Sequence, residues 1–297
     1  MIRRLVINAD DLGLTLRVND GIFDAHDHGI LTSASLFAGA PATSDAIRRA
    51  RSRPSLGVGV HLALVDGTPT LPHHRIPTLV EGDGRFRRSW KPFIVACLRG
   101  RVSLAEVERE LTAQIERLWS AGVKLTHLDA HKHVHAYPPI FAVIVRLAGR
   151  FGVPVVRVPY ERWTHTRGAA ETFGTQRLQT LLNAAMMPWA RRDYRIAAAH
   201  DVRTPNFVGR IHTGVLSAAA LAGLLRELQP GVTELMVHPG YADDELERTG
   251  TRLLASRQSE LDLLCSLEAR ALLVGERVDL VRHDLTHVIN RSLRHVS

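Results

Sequence analysis

Cysteine is nearly absent. Cys97 and Cys265 are the only two in 297 residues, too few for a disulfide framework or a cysteine-built zinc site. Two such thiols fit a reducing compartment, where they serve as small core side chains. Lysine is scarce as well: Lys91, Lys124 and Lys132 stand against 35 arginines. The formal net charge of +8 reads either as an arginine-biased composition or as attraction to an acidic partner. Aromatic residues make up 5%. With no dense basic run, no aromatic RNA-binding signature and no Cys/His finger, nucleic acid is not an expected partner. No stretch reaches the ~18 apolar residues of a membrane span. No segment repeats, which excludes a solenoid, and no Gly-x-Ser-x-Gly elbow offers a serine nucleophile. The start, MIRRLVINADD, has two arginines and a short apolar run, but acidic residues arrive at Asp10 and no cleavage site follows. The expected location is the cytoplasm, with peripheral contact at the inner membrane.

What is present describes a folded chain. Hydrophobic residues are 45% and charged residues 23%, ordinary for a globular protein. Short apolar runs alternate with helical segments. Strands are expected at Leu5 to Asn8, Ser33 to Phe37, Gly57 to Leu64, Leu125 to Ala130, Val153 to Val158, Val232 to His238 and Val278 to Val281. Helices are expected at Asn19 to His28, stopped by Gly29, at Ser44 to Arg51, and from Ser103 to about Ala121 with Glu106 in a capping box. Pro138 and Pro139 open a further helix to about Phe151. This order implies an α/β fold with a parallel sheet of about seven strands, closed or partly closed. The whole chain, 1–297, reads as one domain with two insertions. Residues 67–90 should form a surface loop. Residues 162–206 contain LQTLLNAAMMPWARR, which reads as core helix, as a lid over an apolar cleft, or as a membrane contact.

In parallel α/β folds, chemistry gathers at the carboxyl ends of strands. Four polar clusters fall there: Asn8 to Asp11, His61, the run HLDAHKHVH from His127 to His135, and His238 in LMVHPG. For Asp10 and Asp11 to share one site, the strand must end or bulge near Asp11, because successive residues face opposite ways. In an extended run, His127, Asp129, His131, His133 and His135 would share one face. Five such groups suit a divalent metal with its supporting partners better than they suit packing. Asp129 is near enough to serve a metal-bound imidazole on its other nitrogen. Arg157, inside VVRVP, should pair with a carboxylate such as Asp10. His238 is a candidate general acid.

The motifs NADDLG, GVHLAL, THLDAHKHVH and LMVHPG together resemble the YdjC-like carbohydrate deacetylase family, which includes chitooligosaccharide deacetylases. The resemblance covers the first ~160 residues in order and resumes near His238. It implies a distorted, about seven-stranded TIM-like β/α barrel and metal-dependent removal of acetyl from an N-acetylated sugar. By that resemblance Asp11, His61 and His131 hold the metal, Asp10 is the base, His238 acts near the leaving amine, and His133 and His135 support the ligands. The long insertion resembles the hopanoid-biosynthesis-associated branch, HpnK. That branch implies N-acetylglucosamine on a hopanoid lipid as substrate.

The expected cofactor is one divalent ion, zinc or magnesium, and the expected partner an N-acetylated glycan or glycolipid. Oligomeric state is left open. Rival readings are a chitooligosaccharide deacetylase, a metal-dependent phosphoesterase or sugar isomerase, and a non-catalytic lipid or sugar carrier.

Overall fold

A computed structural model describes residues 2–161, 180–181 and 183–286. Parallel strands β1 (Arg3–Leu12), β2 (Ser33–Leu36), β3 (Gly57–Leu62), β4 (Leu125–Ala130), β5 (Asn206–Val208) and β6 (Gly231–Val237) lie in the order β4-β3-β2-β1-β6-β5. The short β7 (Val278–Leu280) pairs with the foot of β1, at Arg3 to Leu5. The sheet curls. Residues 155–161 connect its two edges through single parallel bridges: Leu128 to Val156, Val155 to Arg203, and Glu161 to Phe207. A continuous strand was expected at Val153 to Val158. Pro154 and Pro159 lack the N–H that a ladder needs, so only isolated bridges form.

The helices between strands are α1 (Leu16–Asp27), α2 (Thr43–Arg51), α3 (Trp90–Leu98), α4 (Leu104–Ser120), α5 (Pro138–Phe151), α6 (Met187–Ala199), α7 (Ala218–Glu227), α8 (Asp244–Arg248), α9 (Ala255–Cys265) and α10 (Leu267–Gly275). Among the described residues, no helix is long and apolar enough to cross a membrane. The expected stop at Gly29 has a different cause from a left-handed cap. A Cβ there would come within 2.6 Å of the Leu264 carbonyl oxygen, so close backbone approach requires the glycine.

The expected surface loop after β3 lies largely at the surface and is moored to the body by a few buried side chains. Ile76, Leu79 and Phe86 are buried. One face of α4 holds the loop backbone. Glu106 accepts from the N–H and hydroxyl of Thr78, both at 2.8 Å. Glu110 accepts from the N–H groups of Thr70 at 2.7 Å and Leu71 at 2.9 Å. Gln114 bonds both the N–H and the carbonyl of Ala63. Ser103 caps α4 as expected, through the N–H of Glu106. The Glu106 side chain closes no capping box, because it is committed to Thr78.

Candidate metal centre

The site begins with an irregularity in β1. Ala9 pairs with Ala34 and Leu12 with Leu36, so Asp10 and Asp11 together oppose Ser35. This is a β-bulge. Asp11 takes φ +69, a left-handed conformation that aspartate tolerates better than most residues. The bulge brings both carboxylates to the strand end, as their shared use requires.

His61 and Asp129 are register partners on β3 and β4. β4 ends at Ala130, and His131–Ala136 form a tight turn in which Lys132 and His133 have positive φ. The run HLDAHKHVH therefore divides. His127 and Asp129 sit in the strand, and His131 just past its end. A Cβ at Gly59 would come within 2.4 Å of the His127 ring, so glycine there makes room for the imidazole.

Asp11, His61 and His131 converge. Asp11 Oδ1 lies 3.6 Å from His61 Nε2 and 3.3 Å from His131 Nδ1. Two atoms each about 2.0–2.1 Å from a tetrahedral ion are roughly 3.4 Å apart, so the spacing fits one divalent ion. The other nitrogen of His61 donates to Asp129 Oδ1 at 2.8 Å, which orients the ring so that Nε2 faces Asp11 and can bind a metal in exchange for its proton. Asp66 Oδ2 faces His131 Nε2 at 3.6 Å. Burial acts to lower the His61 pKa, yet Asp129, Asp10 and Asp11 push it up to about 9. The pocket is thus short of positive charge, as a cation site should be.

A second group of possible ligands, Asp10, His61 and Asp129, overlaps the first. There, a guanidinium already supplies the positive charge. Arg157 is 1% exposed and donates to both Asp10 oxygens, at 2.8 and 2.7 Å. It also reaches Asp129 Oδ2 at 2.8 Å and donates through Nε to Glu234 Oε1 at 2.7 Å. Burial acts to raise the Asp10 pKa, but the bidentate Arg157 contact holds its carboxyl well below the usual carboxylate range. Burial acts likewise on Glu234, and Arg157 brings it down to about 2. Asp11 is also held low against burial, chiefly by Arg257.

His238 follows β6. Burial lowers its pKa to about 4 against the pull of Asp11 and Asp10, so it rests neutral. Among the described residues its Nδ1 is buried without a partner, while its backbone N–H donates to Glu260 Oε2 at 2.6 Å. His135 Nε2 bonds the Arg157 carbonyl at 3.0 Å, and the His133 ring lies edge-on to Phe207. Among the described residues, neither bonds Asp11, His61 or His131. His135 thus backs onto the Arg157 backbone, with the His133 ring 6.2 Å from its own.

The sequence model of one family, described as YdjC-like protein, matches residues 4–274. The chain belongs to the YdjC-like family. Two relatives, each named carbohydrate deacetylase, come from Brevibacillus brevis and Geobacillus stearothermophilus. Both are 33% identical, covering 94% and 95% of this chain and 97% and 98% of their own lengths. A solved structure from Enterococcus faecalis V583, a proposed cellobiose-phosphate cleavage protein, superposes with a TM-score of 0.75 at 26% identity. It covers 96% of this chain and 98% of its own.

In this YdjC-like chain the sequence reading missed Ser35, Asp66, Glu234, Arg257 and Glu260. Ser35 accepts from Asn8 at 2.8 Å and donates to Asp129 at 2.7 Å. Glu234 had a readable signal: a charge inside the apolar strand TELMV, the same feature that marked Arg157. Arg257 and Glu260 had none, since RQSELDLL looks like any surface helix.

Proposed function

We propose that this chain is a metal-dependent carbohydrate deacetylase that removes acetyl from an N-acetylated sugar, its residues 1–297 acting as one catalytic domain. The supporting observation is the placement of Asp11, His61 and His131 at the spacing of one ion, beside an Asp10 clamped by Arg157. A bound zinc or magnesium ion would polarise the acetamide carbonyl and acidify a water. Asp10, kept anionic by Arg157, accepts the proton of that water as its oxygen attacks the carbonyl carbon. The low pKa makes Asp10 a weak base, so it suits a water already acidified. His238 starts neutral, takes up the proton that Asp10 removed from the water, and passes it to the amine nitrogen as the C–N bond breaks. Acetate and the free amino sugar leave. Asp129 would hold His61 with its Nε2 turned to the ion.

We further propose N-acetylglucosamine on a hopanoid lipid as the substrate, with peripheral contact at the inner membrane. Support for this comes from the long arginine-rich insertion and its resemblance to that branch. Its residues 162–179 and 182 lie outside the described residues. Of the described part, Trp189 packs against Tyr137 at 5.5 Å between ring centroids, and Ala190 is buried.

The test is metal-supplemented hydrolysis of hopanoid-linked N-acetylglucosamine beside chitobiose, followed by mass spectrometry of the free amine. Loss of one acetyl from the lipid-linked sugar alone supports both proposals. Loss from chitobiose alone keeps the deacetylase and removes the lipid. Loss from neither, with metal bound, overturns both and returns the phosphoesterase and carrier readings.

A further inference from the structure

One helix without a metal ligand touches both sides of the site. Arg257 and Glu260 are three residues apart on α9, hence on one face, and both are buried. Arg257 Nη2 donates to Asp11 Oδ2 at 2.6 Å, and its Nε to the Leu253 carbonyl at 3.1 Å. Glu260 takes two backbone N–H groups, that of His238 at 2.6 Å and that of Gly214 at 3.3 Å. The N–H of Gly240 returns to the Arg257 carbonyl at 3.3 Å.

We propose that α9 is the positioning element of the site: Arg257 selects which oxygen of Asp11 faces the two imidazoles, and Glu260 fixes the backbone that carries His238. The proposal rests on the deacetylase reading for its catalytic meaning. Its physical basis is independent. A carboxylate has two equivalent oxygens, and its terminal torsion is broad. With Oδ2 taken by a guanidinium that cannot lose its proton, only Oδ1 is left for His61 and His131. Those are the atoms at 3.6 and 3.3 Å. Beyond His238 the chain runs into Pro239 and Gly240, where no ladder holds it. One carboxylate accepting from His238 and Gly214 supplies the missing anchor. Neither residue is given a role on the substrate, so both are positioning residues.

The experiment uses the full-length chain with Arg257→Lys and Glu260→Gln. Zinc(II) affinity is measured without substrate, by competition with a chelating indicator. Amide hydrogen exchange is followed at the two amides of 238–240, His238 and Gly240. kcat and KM are measured on the acetylated sugar that the unaltered protein hydrolyses. Arg257→Lys should weaken zinc binding about 10- to 100-fold and leave exchange at 238–240 unchanged. Glu260→Gln should keep zinc affinity within about twofold, speed exchange about tenfold or more, and lower kcat about tenfold with little change in KM. A merely structural role would move zinc affinity, exchange and melting temperature together in both variants, and that result overturns the proposal. So does unchanged or tighter zinc binding in Arg257→Lys, with Arg257→Gln as the substitute if the lysine variant does not fold. If the unaltered protein hydrolyses no acetylated sugar, the deacetylase reading fails, while the zinc and exchange results still decide the roles of Arg257 and Glu260.

Discussion

Asp10 and Asp11 are adjacent in the chain, yet their surroundings give them different tasks. Asp10 has both oxygens on Arg157, whereas Asp11 gives one oxygen to Arg257 and turns the other to two imidazoles. Asp10→Asn keeps shape and removes the proposed base. It should lower kcat about 10²- to 10⁴-fold while metal content stays at the unaltered level. His61→Ala removes a proposed ligand and should lose bound metal and turnover together. Metal analysis beside activity separates the two outcomes; an Asp10→Asn protein that keeps near-full turnover removes the base assignment. The pairing of Arg157 with Asp10 could be anticipated, because an arginine in an apolar strand needs an anion. The division of the histidine run could not, since it depends on where β4 stops and on the left-handed turn at Lys132 and His133.

Among the elements, α4 shows how a helix can shape a loop. Glu106, Glu110 and Gln114 recur every four residues and each bonds backbone in residues 63–78. They look like solvent-facing residues in the sequence because they are polar, but all three are buried. Glu110→Ala leaves two part-buried N–H groups unmet, at about 1 kcal/mol each. A fall of that order in unfolding free energy, read from denaturant midpoints at saturating metal, is the expected outcome. An unchanged midpoint would mean the loop holds itself. Metal affinity should fall far less than in His61→Ala, since Glu110 has no contact with the three ligands.

At the scale of the whole molecule, buried titratable groups set the pH dependence of the metal-free protein. Burial raises Glu161 to about 7 and Asp193 to about 8. Their unfolded values are near 4, so the stability they contribute is complete below that and lost as pH rises through 7 and 8. His61, raised to about 9 by its carboxylates against burial, loses its contribution as pH rises through that value. Burial lowers His135 and His238, each to about 4, and also His127 and His133. Their contribution is present above the unfolded value of about 6.5 and lost as pH falls through their folded values. The metal-free melting temperature should therefore peak near pH ~6.5 and decline on both sides. Asp193→Asn should flatten the alkaline decline. A melting temperature still rising between pH 7 and 9 would contradict the burial of these acids.

By itself the sequence determined most of the strands along the chain, the parallel sheet and the identity of the groups that gather at its carboxyl end, but neither β5 nor the order of the strands in the sheet. Those follow from local periodicity and from the cost of placing Asp, His or Arg next to apolar strands. Tertiary structure decided how these groups divide the work. It made the bulge that turns both aspartates to one end, and it ended β4 so that His131 meets Asp11 while His135 backs onto Arg157. It also brought Arg257 and Glu260 from a distant helix onto Asp11 and His238. The reason is that an ion site depends on atoms a few ångströms apart, and contacts between residues hundreds of positions apart leave no local pattern.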